Sequence, residues 1–374
     1  MPTIFTRGAA SARGFGLFGT VAGGGGGLWT WGNGNYGKLA LGNTTSYSSP
    51  KQVGALITWS KLSTRSNFSL AIKTDGTLWA WGLNNYGNLG SGNTTIYSSP
   101  KQVGALTTWA TVSAGSNFSL AVKTDGTLWA WGVNGAGQLG LGNLTNYSSP
   151  KQVGALTTWS KVSGANFFSV AVKTDGTIWS WGNNGLGRLG LNNLTNYSSP
   201  KQIGALTTWI TVSAGFQSSL AIKTNGTLWA WGRGNGGQLG QGTQADYSSP
   251  VQVGALTTWS KIAEGTNSSF AIKTDGTLWS WGYNGFGRLG LNNTTSYSSP
   301  KQVGALTTWF NVSSYASLCT ATKTDGTLWS WGRNQLGQLG LGNITDYSSP
   351  KQIGALTGWT ITASDAYNTS ALKT

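Results

Sequence analysis

KTDGTLWAWG, residues 123–132, is the stretch from which the fold can be read. Asp125-Gly126 marks a tight reversal, because the favoured hairpin turns need φ > 0 where Gly is comfortable. The flanking residues alternate with period two and include Trp, Val and Thr, the pattern of strands. The same hairpin recurs every 50 residues: LWTW at Leu28, LWAW at Leu78, Leu128 and Leu228, IWSW at Ile178, and LWSW at Leu278 and Leu328. A YSSP segment keeps the same period from Tyr47 to Tyr347, and all 21 Trp fall at three positions per unit, as in Trp59, Trp79 and Trp81. Residues 25–374 therefore hold seven units of 50.

The phase of the repeat predicts how it closes. The chain stops at Lys373-Thr374, where the other units continue into DGTLW, and the missing piece stands at Leu28-Trp29. An open solenoid needs polar capping repeats, but the last unit is as apolar as the rest. A ring needs no cap. The expectation is an all-β, seven-bladed β-propeller with four-stranded antiparallel blades, closed by pairing residues 369–373 with residues 28–31. Within a unit, strands are expected at residues 58–62, 68–73, 77–81 and 51–56, with a long glycine-rich loop that also carries YSSP. Trp79, Trp129, Trp179 and their equivalents are expected to be buried between blades. Residues 1–27, ending in five Gly, read as a leader apart from the propeller of residues 28–374.

Composition narrows the chemistry. The 374 residues include no His, one Cys, one Met and a single glutamate, Glu264. This removes His acid–base catalysis, the Ser-His-Asp triad, His metal ligands and an internal disulfide. No stretch approaches 18 apolar residues, so no membrane span is expected. The net charge of +15 arises largely by duplication: Lys73 and Lys51, with their equivalents, account for 13 of the 24 basic residues. There is no basic run, so nucleic acid is not an expected partner. Asp75, Asp125 and their equivalents read as turn residues, because Asn225 replaces one of them and keeps the turn without the charge. Cys319 reads as an ordinary small residue. No catalytic residue, metal ligand or cofactor is assigned.

WGVNGAGQLGLGN, residues 131–143, followed by the order P-x-x-V…W…V…G…SLA…DG, resembles the repeat of the regulator-of-chromosome-condensation family. The resemblance spans residues 28–374 and implies a seven-bladed propeller. The chain departs from the pattern where the family commonly has a His before SLA: it has Phe68, Phe118, Phe168, Ser218, Ser268, Leu318 and Asn368. Family members include a guanine-nucleotide exchange factor that docks on nucleosomes and a secreted inhibitor of β-lactamases. Neither activity carries over, since no exchange wedge and no basic tail is found. TRGAASARGFG, residues 6–16, resembles leaders on structural proteins of tailed bacteriophages, especially marine ones. That resemblance implies an anchor to other virion proteins, with Arg7, Arg13, Phe15 and Phe18 as candidate contacts.

Comparing the units with one another locates the variation. It follows the second Trp of the hairpin (Asn33, Leu83, Val133, Asn183, Arg233, Tyr283, Arg333), recurs three residues on, and precedes the SLA strand. TDGT and GALTT barely change. The meander puts the variable segments at one end of the propeller and the constant ones at the other. Arg233, Tyr283, Phe286, Arg288 and Arg333 come from three consecutive units and are the candidate partner-binding residues. Tyr and Arg dominate interface hot spots, and Arg pairs bidentately with carboxylate or phosphate, such as an acidic surface glycan carries. The expected function is a non-enzymatic structural or binding propeller on a bacteriophage virion surface, as fibre, tail or head decoration, contacting a partner or a host glycan or protein. The alternative is a bacterial protein-binding propeller, an inhibitor or scaffold, in the cytoplasm or secreted.

Overall fold

Seven four-stranded antiparallel sheets surround one axis in the computed structural model, which describes residues 25–374. One blade is the meander Trp59–Arg65, Phe68–Lys73, Leu78–Gly82 and Tyr97–Gln102. The first strand of each unit is innermost, since a narrow axial channel of about 70 Å³ is lined by residues from all seven first strands. The closing blade takes Trp359–Ser364 and Asn368–Lys373 from the C-terminal end, and Gly27–Gly32 and Tyr47–Gln52 from the N-terminal end. Its register runs from Gly27 opposite Lys373 to Gly32 opposite Asn368, so the ring is closed as the phase of the repeat requires.

The inner strands are tied by serine. Ser63 Oγ accepts from the Ala114 N–H at 2.9 Å, and Ser113, Ser163 and Ser213 accept from Gly164, Ala214 and Glu264 at the same distance. Ser313 accepts from Ser364 at 3.1 Å. Ala263 and Ala363 hold this position in the other two units.

The outer strand lies elsewhere than expected. YSSPKQ, or YSSPVQ at Tyr247–Gln252, is the fourth strand of the blades, and the GAL segment is the corner that follows it. Pro is tolerated there because an edge strand has one side with no ladder bond to make. A bulge leaves only Tyr97, Lys101 and Gln102 paired to the third strand, which erases the alternation that marks a strand in sequence. Pro, Lys and the bulge together also protect this edge against pairing with another chain. Gly104, at φ 62°, makes the corner and turns Leu106 outward, where it is exposed.

The three Trp of a unit have different surroundings. Trp81 and its equivalents are fully buried, and each indole N–H reaches back to the preceding unit: Trp81 to Lys38 O at 3.0 Å, Trp131 to Asn88 O at 2.9 Å, and Trp31 to Gln338 O at 3.0 Å across the closure. Trp59 and its equivalents are 2–4% exposed and meet the other two edge-on, with centroids 6.1 and 6.2 Å away in this blade. The Trp79 position departs from expectation and is only half-buried. Asp75 Oδ1 accepts from the Thr77 N–H and hydroxyl, and Thr77 Oγ1 accepts from Trp79 Nε1 at 2.8 Å, which holds this ring at the TDGT end. The Lys73 ammonium lies 3.8 Å from its centroid, a cation–π contact. Asn225 reproduces the turn, bonded to Thr227 at 3.2 and 2.7 Å.

Two tests follow from this division. Trp131→Ala should cost about 3–5 kcal/mol in denaturant unfolding, as truncation of a buried aromatic does, and Trp129→Ala clearly less. Removing residues 369–374 takes the second strand from the closing blade, so the shortened chain should lose its monomer peak on size exclusion through aggregation of exposed edges.

Candidate functional site

The variable end is built on pinned loops. In the loop after the third strand, Asn84 is buried: its amide donates to Asn93 O and Thr95 O at 3.0 Å, and its Oδ1 accepts from the Leu89 N–H at 2.9 Å. Asn134, Asn184, Asn284 and Asn334 repeat this role. Gly90, at φ 76°, passes so close to the next blade that a Cβ would stand 2.8 Å from Trp131 Nε1. The loops are thus rigid, and their outer side chains vary over a fixed frame.

Four of the five candidate contacts form two cation–π pairs on neighbouring loops. The Arg288 guanidinium lies 4.8 Å from the Tyr283 ring centroid, and that of Arg333 lies 5.1 Å from the Phe286 centroid. Tyr283 and Phe286 are exposed by 45% and 40%, the latter at φ 62°. Arg333 is further held by Gln335 Oε1 at 2.6 Å. Arg288 itself is no surface contact. It is 5% exposed and donates to Gly285 O, Ala316 O and Ser317 Oγ at 3.1, 2.7 and 2.8 Å, so it supports Tyr283 from beneath. Burial, reinforced by Arg333 and opposed by Tyr283, lowers its pKa to about 10. Arg233 belongs to a different grouping. It donates to Gln217 Oε1 at 2.6 Å, and its charge bears on the buried Arg188. A second aromatic group at the same end was not singled out in the sequence: Tyr36, Tyr86 and Tyr367 are each more than 40% exposed, and Lys38 stacks under Tyr367 at 4.9 Å.

The axis carries polar residues that no other unit shares. The inner-strand position of Arg65 is Gly115, Ala165, Gly215, Gly265, Tyr315 and Asp365 elsewhere. Arg65 crosses the channel and donates to Gly164 O, Ala214 O and Gly215 O at 3.0, 3.1 and 2.8 Å, while its guanidinium lies 4.5 Å from the Tyr315 centroid. Glu264 is buried beside Ser218 and Ser269. Burial pushes its pKa up to about 8, against the pull of those hydroxyls and of Arg65. In other units the Ser269 position donates to the preceding loop, as Ser119 does to Asn88 O, and Ser269 lies 2.6 Å from Gln238 O in the same way. A neutral Glu264 lets Ser269 keep that bond, with the carboxyl proton serving a Ser oxygen. Asp365 is fully buried. Burial pushes its pKa up to about 6, opposed by Lys38 and by the N–H groups of Ala366 and Ser66, which face it without reaching hydrogen-bond geometry. The one sequence signal for this centre was Glu264 as the only glutamate.

With the fold and these side chains placed, kinship can be read. The family described as RCC1-like domain matches residues 16–263, well over half of the chain. The chain belongs to the RCC1-like domain family. RCC1 repeats are further matched at residues 259–288, 275–317 and 325–365. No curated protein sequence matches the chain. Among solved structures it is similar to Prp20p from Saccharomyces cerevisiae, with TM-score 0.83, 18% identity, and 95% of this chain and 93% of that one covered. It is similar to human WBSCR16, with TM-score 0.84, 19% identity and coverage of 93% and 98%. It is also similar to yeast RCC1 (Prp20) in its complex with Kap60, with TM-score 0.84, 17% identity and coverage of 100% and 96%. At such identity the likeness establishes the fold. The candidate anchor residues Arg7, Arg13, Phe15 and Phe18 lie outside the described residues of this RCC1-like chain.

The buried carboxyl gives the axis a pH signature. Below pH 4.5 Glu264 is neutral both folded and unfolded, and stability is full. As pH rises, the unfolded chain ionises first, so stability falls until the folded carboxyl titrates near 8 and the loss levels off. Glu264→Gln should abolish the fall between about pH 6 and 8 and leave below pH 6 the shallower fall due to Asp365, gaining on the order of 2–4 kcal/mol over the parent above pH 8 and nothing below pH 4.5. Urea unfolding at a series of pH values measures it.

Proposed function

We propose that this RCC1-like propeller is a non-enzymatic binding module that docks a partner on its variable end through Tyr283, Phe286 and Arg333, with Arg288 as their support. The observation that carries this reading is the pair of exposed aromatic rings, each held by a cation at 4.8 or 5.1 Å and mounted on loops pinned by buried Asn. Most large exposed apolar side chains cost solubility and contribute nothing to folding. Here two are presented from one loop on a rigid base, which lowers the entropy lost on binding. Solved relatives point toward macromolecular partners: Prp20p is described by its binding to Gsp1p and histones, and by its complex with Kap60. Arg233 sits at the margin and adds charge for an acidic partner such as a host surface glycan or protein.

The finer reading places the module on the surface of a bacteriophage virion, as fibre, tail or head decoration, joined to other virion proteins through Arg7, Arg13, Phe15 and Phe18 in its leader. Its support is the likeness of residues 6–16 to phage structural leaders. A bacterial inhibitor or scaffold is the alternative, and neighbouring genes separate the two: capsid and tail genes against a metabolic locus.

The docking reading is tested by two triple variants compared in host-cell or partner binding. Arg233→Ala, Tyr283→Ala and Arg333→Ala together should abolish binding. Lys201→Ala, Lys301→Ala and Lys351→Ala, on the outer strands, should leave it intact. Equal loss in both would point to diffuse charge attraction and overturn the docking face.

A further inference from the structure

The opposite end of the propeller, where TDGT and GALTT repeat almost unchanged, is not uniform at its axis. The inner-strand position of Lys61 reads Lys61, Thr111, Lys161, Thr211, Lys261, Asn311 and Ile361 around the ring. Three lysines therefore come from alternate blades. Lys261 is engaged within the protein: its ammonium donates to Phe310 O and lies 3.7 Å from the Phe310 ring centroid. Lys61 and Lys161 have no such partner. Among the described residues neither ammonium donates a hydrogen bond or stacks on a ring, although both side chains are half-buried.

Lys61 and Lys161 flank Thr111 and line one recess of about 380 Å³, together with Lys123 and Asp125. Only the Lys61 and Lys161 ammonium groups are uncommitted there, and the one carboxylate in the wall is engaged in its own turn. Asp125 Oδ1 already accepts from the Thr127 N–H and hydroxyl at 2.9 and 2.7 Å. Lys123 lies 3.7 Å from the Trp129 centroid. The Thr111 and Thr124 hydroxyls in the recess donate to no protein group among the described residues. Burial first and the charge of Lys161 second together lower Lys61 to about 8, so Lys61 feels the neighbouring cation. The next recess around the ring has the same volume and supplies an internal control. It keeps Lys161, Lys173 and Asp175 but has Ile210 in its wall and only two lysines.

We propose that the recess between Lys61 and Lys161 binds a small molecule bearing a tetrahedral oxyanion ester, a phosphorylated or sulfated sugar. Two compact ammonium groups from separate blades, with hydroxyl donors between them, suit the oxyanion. The recess is larger than the ion alone and lies at the lower end of the range of small-molecule sites, so a sugar-sized body fits behind it. An anion at this point also relieves the repulsion of two half-buried like charges, neither of which is bonded by Asp125, whose Oδ1 is taken up by Thr127. The site is on the end opposite the proposed docking face and stands or falls independently of it.

The test is calorimetric titration of the full chain at neutral pH and low salt with glucose 6-phosphate, glucose 6-sulfate, inorganic phosphate and glucose. One molecule of ester per chain should bind, glucose should not, and Lys61→Met or Lys161→Met should each weaken the ester by about tenfold or more. Lys261→Met should leave it unchanged. Inorganic phosphate binding as tightly as the esters would overturn the sugar assignment in favour of the free ion. Absence of ester binding at millimolar concentration, or equal binding by glucose, would overturn the site. A measurement without substitution guards against misfolded variants: acylation of Lys61 at pH 8, followed by mass spectrometry, should be slowed several-fold by the ester while Lys301 is unaffected. An unchanged Lys61 rate would also reject the proposal.

Discussion

The hydrogen bond from the third-strand indole to the carbonyl of the preceding unit is the contact on which the ring depends. A single blade has a fully apolar flank and cannot keep it dry alone. Each of the seven buried Trp, from Trp31 to Trp331, fills that flank and is fixed by a bond to a neighbour: Trp131 to Asn88 O, Trp231 to Arg188 O, Trp331 to Arg288 O. A large indole is useful here because it joins apolar area to one directional donor, whose bond avoids the cost of burying it unpaired. The accepting carbonyl belongs to the loop that carries the variable side chains. The bond that seals the core therefore also immobilises the surface at which recognition is proposed, and the glycine beside it, Gly90 against Trp131, lets the two backbones approach.

Closure is the same contact used once more. Trp31 donates to Gln338 O across the point where the chain ends meet, and Gly27–Gly32 pairs with Asn368–Lys373 in continuous register. The closing blade is nevertheless the least regular. Ala363 stands at the bridging-serine position, Asn368 stands where three units have Phe, and neither Asn368 nor Asp365 has a side-chain hydrogen-bond partner among the described residues. The strand pairing tolerates these irregularities because it is backbone-mediated, and the Trp contact is untouched.

What could be read in the sequence was what the repeat multiplies. The period, the blade number, the closure and the turn role of Asp75 follow from seven near-copies, and Asn225 served as a natural substitution. Three readings failed for identifiable reasons. The outer strand pairs through a bulge and contains Pro, so it has no alternation to detect. Trp79 and Trp81 share one face of a strand, and only the position of the next blade decides which is covered. Arg288 has the chemistry of a surface residue yet is buried. Its equivalents Lys38, Asn88, Gln138, Arg188, Gln238 and Gln338 are all polar and all buried, a column whose meaning emerges once the loop is seen to fold over it. Of the candidate contacts, Tyr283, Phe286 and Arg333 lie on the surface as the loop position suggested, whereas their stacking could not be foreseen.

The axis explains why a chain so repetitive can still differ from a stack of identical units. A substitution at the rim meets its own blade and one neighbour, and so changes little beyond itself. A substitution on an inner strand faces all seven. Arg65 reaches carbonyls on units two and three blades away, and its charge is felt by both Glu264 and Asp365. Lys61 senses Lys161 over the same span. A few changes at these columns convert a symmetric channel into a closed, charged and oriented centre without disturbing the repeated contacts that build the fold. In a propeller copied from one unit, that geometry makes the inner strands the most economical place for the chain to acquire an individual chemistry.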